Sequence, residues 1–204
     1  MLFTKSGFSF FWKILFPFFC LHLIFFFLQV IHDSQLLFPN SDFERGSLLN
    51  WNARGRAFLN QPTFGDNPFY HKASASHMTG NYFVGTFEDR PSAKVREGRS
   101  QPNELSGALE SVPFVIKRNR ISFLLGAGDF SENESVSLVV DGVKVLNEKG
   151  RGILSRFQGE SMRTVLWDVS RWKGHQAALL IRDNAIPRPG SHINVDDFKY
   201  DGFF

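Results

Sequence analysis

S-V-S-L-V-V-D-G-V-K-V-L, Ser135 to Leu146, is the stretch on which the fold turns. Two runs rich in β-branched residues flank Asp141-Gly142, and a two-residue Asp-Gly loop accommodates the positive φ angles of a type I′ turn. The segment predicts a β-hairpin. Outward from it, short apolar or alternating runs recur between Gly, Pro, Asn and Asp: N-Y-F-V-G-T-F-E, A-L-E-S-V-P-F-V-I, R-I-S-F-L-L-G-A-G, R-T-V-L-W-D-V, Q-A-A-L-L-I-R-D and H-I-N-V-D-D-F-K-Y. Each has about the length of a strand. No long 3.6-residue periodicity appears. D-V-S-R-W-K-G-H predicts at most one helical turn ended by Gly174, and Gly126-Ala127-Gly128 predicts a tight turn. Eight or more strands with almost no helix predict an all-β chain, a single β-sandwich of the jelly-roll type.

The residues before the sandwich have a different character. Of 204 residues 24 are Phe, and many of these precede His32. The run from Ile14 to Ile31 carries no charge apart from His22 when protonated, and only Lys5 and Lys13 stand before it. A positive lead followed by about 18 apolar residues is the layout of a secretory signal or of an N-terminal membrane anchor. V-I-H-D-S-Q offers only Ser34 as a small residue for cleavage, so both readings stay open. The expected organisation is a hydrophobic helix over 1–34 and a β-sandwich over 35–204, on the outside of the cell membrane or in the cell envelope. Cys20, the single cysteine, lies in the apolar run, so the sandwich has no disulfide.

Charge excludes one class of partner. The formal +3 includes Lys5 and Lys13, and falls to +1 without them. No basic stripe with interleaved aromatics is present, and Arg90 to Arg99 reads as a solvated loop, so nucleic acid is not an expected partner.

In Ser191 to Tyr200, Ile193 and Val195 share one parity while Phe198 and Tyr200 take the other. The slip falls at Asp196-Asp197 and predicts a bulge. Near the start of the sandwich stands N-S-D-F-E-R-G, and first and last strands of a sandwich are often neighbours. Glu44, with Asp42 beside it, is thereby expected to meet Asp196 and Asp197. Converging carboxylates repel unless a cation neutralises them, and hard oxygen ligands suit Ca²⁺, so Glu44, Asp196 and Asp197 are the expected structural calcium ligands. The alternative is that these acids only cap a sheet edge. A glycosidase pair needs two carboxyls across an open cleft, which nothing in the spacing provides. His71 and His77 match neither a helical pair nor a strand face for a transition metal, and no G-x-S-x-G elbow appears.

Arg182 and Asp183 in L-L-I-R-D-N, with His192 and Asn194 in S-H-I-N-V-D, combine a planar donor fork, acceptors and groups that do both, which suits adjacent sugar hydroxyls. The loop N-A-I-P-R-P-G joins them. The alternative is a surface network that pins this loop.

The order G-N-Y-F-V-G-T-F-E, S-G-A-L-E-S-V-P-F-V-I-K-R-N-R-I-S-F-L-L-G-A-G, S-V-S-L-V-V-D-G-V-K-V, L-W-D-V-S-R-W-K-G-H-Q-A, I-R-D-N and S-H-I-N-V-D-D-F resembles the fructan-binding β-sandwich modules attached to levanases, from about Phe43 to Tyr200. The resemblance implies a galactose-binding-like jelly roll, without a levanase catalytic domain, that engages a terminal fructose or another glycan end. The ligand residues it leaves in view are Arg182, Asp183, His192 and Asn194, with Glu88 at the end of its own strand. Ser111-Val112-Pro113-Phe114 stands where those modules read S-P-x-F, Gly126-Ala127-Gly128 where they read G-G-G, and Gly190-Ser191 where they read Trp-Gly before the His-Ile-Asn-Val-Asp run. An aromatic stacked on a sugar beside His192 contributes about 0.5–1.5 kcal/mol, which this chain lacks. The expectation is a non-catalytic glycan-binding module, fructan-like in its ligand. A surface interaction or structural sandwich that has lost its sugar site is the alternative, and a glycoside hydrolase a third reading.

Overall fold

A computed structural model describes residues 5–71, 74–102, 104–127, 134–150, 161–184 and 191–201, without the side chains of 5–16, 18, 33 and 71. The chain divides into two units, Met1–Gln35 and Leu36–Phe204. The first contains one helix, α1 (Lys5–Gln35), with Pro17 inside it.

The second is the sandwich. Its strands are β1 (Trp51–Gly55), β2 (Thr63–Phe64), β3 (Tyr82–Gly85), β4 (Gly107–Ser111), β5 (Phe114–Val115), β6 (Arg120–Ala127), β7 (Ser135–Val140), β8 (Val143–Lys149), β9 (Arg163–Asp168), β10 (Gln176–Asp183) and β11 (Ile193–Tyr200), with a four-residue helix α2 (Pro68–His71). One sheet runs β1-β4-β10-β7-β8, with β5 also on β10; the other runs β2-β3-β11-β6-β9. Every pairing is antiparallel. The all-β sandwich expected from the strand pattern is therefore the architecture formed.

The hairpin β7–β8 closes with Val140 opposite Val143, and Asp141 and Gly142 both take positive φ, 48° and 81°. A-L-E-S-V-P-F-V-I, read as one run, is two strands, because Pro113 has no N–H to give the ladder; β4 and β5 both still pair with β10. The single turn expected near Gly174 is a 3₁₀ turn, Ser170–Trp172, and Gly174 ends it at φ 89°.

The core lies between the sheets. Ile121, Phe123 and Leu125 of β6, Val136, Leu138 and Val140 of β7, and Ala177, Leu179 and Ile181 of β10 alternate inward as period two requires. In β11 the inward set is Ile193, Val195, Phe198 and Tyr200. The change of parity is a bulge: Asp196 lies opposite Leu124 and Lys199 opposite Ser122, so Asp197 and Phe198 together face Phe123. Asp197 adopts φ 56° to make the turn. An unbroken strand would send Asp197 and Lys199 into the core, where an unpaired charge is prohibitive. The bulge turns them out and stacks Phe198 on Phe123, ring centroids 4.9 Å apart, with Trp51 at 5.8 Å and Phe43 at 6.3 Å.

The first segment of the sandwich seals this bulge. Leu36 bridges to Lys199. Ser41 donates its hydroxyl to the Phe198 carbonyl at 2.6 Å, and its own carbonyl accepts the Phe198 N–H at 3.2 Å. The expected adjacency of first and last segments is thus present.

Candidate functional site

Two groups of buried polar side chains lie along β11, one at each end. The first gathers at the His192 end. His192 and Asn194 share the parity of Asp196 and point away from the core, yet both are buried, because β11 sits centrally between β3 and β6 and loops cover its outer face. Asn194 lies opposite Gly126 on one side and Gly85 on the other. A Cβ at Gly85 would stand 3.0 Å from the Asn194 side-chain oxygen, and one at Gly126 would press on Ser161 and Met162. These glycines make room for an amide and for the loop above it. Gly126 and Ala127 accordingly belong to strand β6 rather than to the tight turn expected of them, and Gly128 lies outside the described residues.

Asp183 reaches the same end from the other sheet. It has the parity of Leu179 and Ile181 and is buried. Its neighbour Arg182 pairs with Ser135, which places Asp183 beside Glu134 in the register. Glu134 is fully buried and accepts the Ser191 hydroxyl at 2.7 Å, a contact that ties the start of β7 to the start of β11 across the sandwich. The segment after β3 completes the group. Thr86 exchanges hydrogen bonds with the backbone of Ile193, Phe87 sets its ring 5.6 Å from that of His192, and Glu88 follows, also buried. Gln61 and Gln101 fasten this segment through the Glu88 and Thr86 carbonyls.

Of the five residues expected at a ligand face, His192 and Asn194 lie buried on the outer face of β11, Glu88 is buried in the segment after β3, and Asp183 is buried on the inward face of β10. Arg182 is exposed on the opposite face of β10. The loop over residues 185–190, expected to join the set, lies outside the described residues. Glu134, Thr86 and Ser191 were not among the expected residues. Glu134 sits just before an alternating strand, and nothing local marks it as buried.

The second group lies at the bulge. Asp196 is fully buried; its Oδ2 accepts the Thr79 N–H at 2.8 Å, and its Oδ1 has no hydrogen-bond partner. Burial raises its pKa well above the usual carboxylate value, against hydrogen bonds from the Thr79 and Asp197 amides, and the charges of Asp197 and Glu44 push in the same direction. Glu44 rests in an amide cradle, each carboxylate oxygen 2.9 Å from the Asn81 N–H and one also 2.9 Å from the Tyr82 N–H. Gly80, at φ 72°, permits this close approach, since a Cβ there would fall 2.4 Å from the Glu44 carboxyl carbon. Asp197 pairs instead with Lys199 at 2.5 Å, with the Thr79 hydroxyl 3.5 Å away. Glu44, Asp196 and Asp197 therefore come within electrostatic reach of one another. Among the described residues no group of three or more His, Cys, Asp or Glu is placed to hold a metal ion.

Arg90, expected on a solvated loop, is buried instead, donating to the Phe64 and Val95 carbonyls over the Phe64 ring and pairing with Glu97.

No family profile matches the chain. "Putative glycosyl hydrolase ecdE" of Aspergillus rugulosus is 37% identical over 95 residues, 47% of this chain. The chain spans 12% of the length of that curated relative. Similar solved structures include TmCBM61 in complex with β-1,4-galactotriose, at 16% identity and TM-score 0.48 over 81% of this chain and 97% of that one. The K1 cleaved adhesin domain of Lys-gingipain from Porphyromonas gingivalis W83 is 12% identical at TM-score 0.45, covering 80% and 96%. A family 35 carbohydrate-binding module from an environmental isolate is 12% identical at TM-score 0.38, covering 70% and 85%.

Proposed function

We propose that the sandwich is a non-catalytic glycan-binding module that takes a sugar end at the Asp183–His192 end of β11. The observation that carries this is the burial of polar side chains about that end: Asp183 and Glu134 between the sheets, the latter tied to Ser191, and His192 and Asn194 on the outer face of β11, with Phe87 beside His192. Their chemistry suits a ring of adjacent hydroxyls: carboxylates accept, while the amide and imidazole both donate and accept. The sequence resemblance to fructan-binding modules supports a terminal fructose as ligand. The identity with part of a protein named as a glycosyl hydrolase supports a setting in carbohydrate metabolism.

The test is a glycan array and a levan pull-down with the full chain. Asp183→Asn weakens binding, whereas Arg182→Ala, on the other face of β10, leaves it within about twofold, well under the 1.4 kcal/mol of a tenfold change. No binding to any glycan puts the surface interaction or structural module ahead. Release of free sugar from fructan oligosaccharides restores the hydrolase.

At the bulge we propose a structural Ca²⁺ anchored on Asp196. Its unpartnered buried Oδ1 supports this, as do the charges of Glu44 and Asp197 within reach; backbone carbonyls and water complete such a shell. Melting with and without a chelator tests it, and an unchanged melt means that Asp196 carries a proton instead.

A further inference from the structure

The helix α1 presents an apolar surface with a definite occupant. Independently of glycan binding, we infer that α1 is retained in the protein as a lipid-embedded anchor, and that its partner is a bilayer with anionic headgroups on the Lys5–Lys13 side.

The argument begins with exposure. Phe25, Phe26, Phe27 and Leu28 are consecutive and each is at least 59% exposed. Successive helical residues step about 100° around the axis, so four in a row cover the whole circumference. Phe19, Leu21, Ile24, Val30 and Ile31 extend the same surface. A helix apolar on one side lies on an interface or packs on a core; a helix apolar all round belongs inside an apolar medium. Taken alone, the described residues contain no helix long and apolar enough to cross a membrane, since the side chains described in α1 begin at Pro17. The sequence carries the run back to Ile14, 18 residues or about 27 Å of helix, close to the roughly 30 Å of a hydrocarbon core. Pro17 fits lipid better than water, because spanning helices tolerate proline.

Charge sets the direction. Lys5 and Lys13 precede the run with no acid, and Asp33 follows it. Basic residues stay on the cytoplasmic side, which leaves the sandwich outside. The point of attachment within the sandwich is Leu36, paired with Lys199. His192 lies seven residues up the same strand, about 23 Å away at 3.3 Å per residue.

Cys20 is the reporter, as the single thiol and within the run. The full chain is recovered from membranes, its intact mass measured, and the protein reconstituted in phosphatidylcholine vesicles with a minor share of phosphatidylglycerol. Residues 1–35 remain in the intact mass, the chain resists an alkaline wash, and an impermeant maleimide labels Cys20 on the order of tenfold more slowly before detergent than after. Phe25→Glu with Leu28→Glu moves the chain to the soluble fraction while fluorescence from buried Trp51 and Trp167 reports an intact sandwich. A mature N-terminus near Gln35, release by the wash, or equal labelling with and without detergent overturns the inference.

Discussion

The two ends of β11 use the same amino-acid chemistry for opposite purposes. Around Asp196 the acids have backbone amides and a lysine fitted to them, and the neighbouring Phe198 is driven into an aromatic cluster. Around His192 buried polar side chains come from both sheets, and the Ser191–Glu134 contact ties one sheet to the other. One end is organised around its backbone, the other around its side chains. One strand can therefore carry two differently built polar groups a few residues apart, with a bulge at one of them.

The sharpest way to break that division is at Phe198. Phe198→Ala empties a fully buried site among the rings of Phe43, Trp51 and Phe123 and lowers stability by about 3–5 kcal/mol, read as the shift in a denaturant midpoint. Glycan affinity extrapolated to folded protein stays the same, because the His192 end is separate.

Asp196→Asn has a sign that depends on the cation. With folded pKa raised, Asp196 stabilises the fold most below its unfolded pKa, and that contribution is lost as pH rises through the folded value. Without calcium, Asp196→Asn therefore raises the melting temperature at neutral pH and flattens its pH dependence. With calcium at about 100 times Kd, wild type gains about 2.7 kcal/mol that the variant does not. An Asn variant that melts alike under both conditions and at every pH removes Asp196 from the account.

Gly80→Ala forces a Cβ against the Glu44 carboxyl at a positive φ, and costs about 1–3 kcal/mol at the bulge end alone. Glu44→Ala in the same background relieves the clash, so the pair is less than additive in a thermal-melt cycle.

At the other end Asp183→Asn changes stability little and weakens glycan binding about tenfold, about 1.4 kcal/mol, by titration calorimetry. Equal losses from Asp183→Asn and Arg182→Ala would erase the distinction between the two faces of β10.

Much of this is legible in the sequence. Asp141-Gly142 specified its hairpin locally, and the parity slip at Asp196-Asp197 specified the bulge, because both are encoded in adjacent residues. The meeting of the Asn40–Glu44 segment with β11 followed from sandwich topology. What was not legible depended on distant cover. Alternation cannot show that His192 and Asn194 are buried on the outward face, since their cover includes Phe87, distant in sequence, and Ser161–Met162 over Gly126. Nor can it show that Gly126 stays in a strand to make room for them. The pairing of Glu134 with Ser191 spans 57 residues and both sheets, so no local signal announces it. Arg182 and Asp183 are adjacent in sequence, and period two alone sends them to opposite faces.

β11 is the last strand, yet it lies in the middle of its sheet, and its bulge is clasped by Ser41 from 157 residues earlier. During synthesis the sheet β2-β3-β11-β6-β9 is two separate halves until this final strand emerges, and its aromatic core has no Phe198 to close on. Such long-range closure is slow. Of the two sheets, β1-β4-β10-β7-β8 can pair without β11, whereas β2-β3 and β6-β9 join only through it.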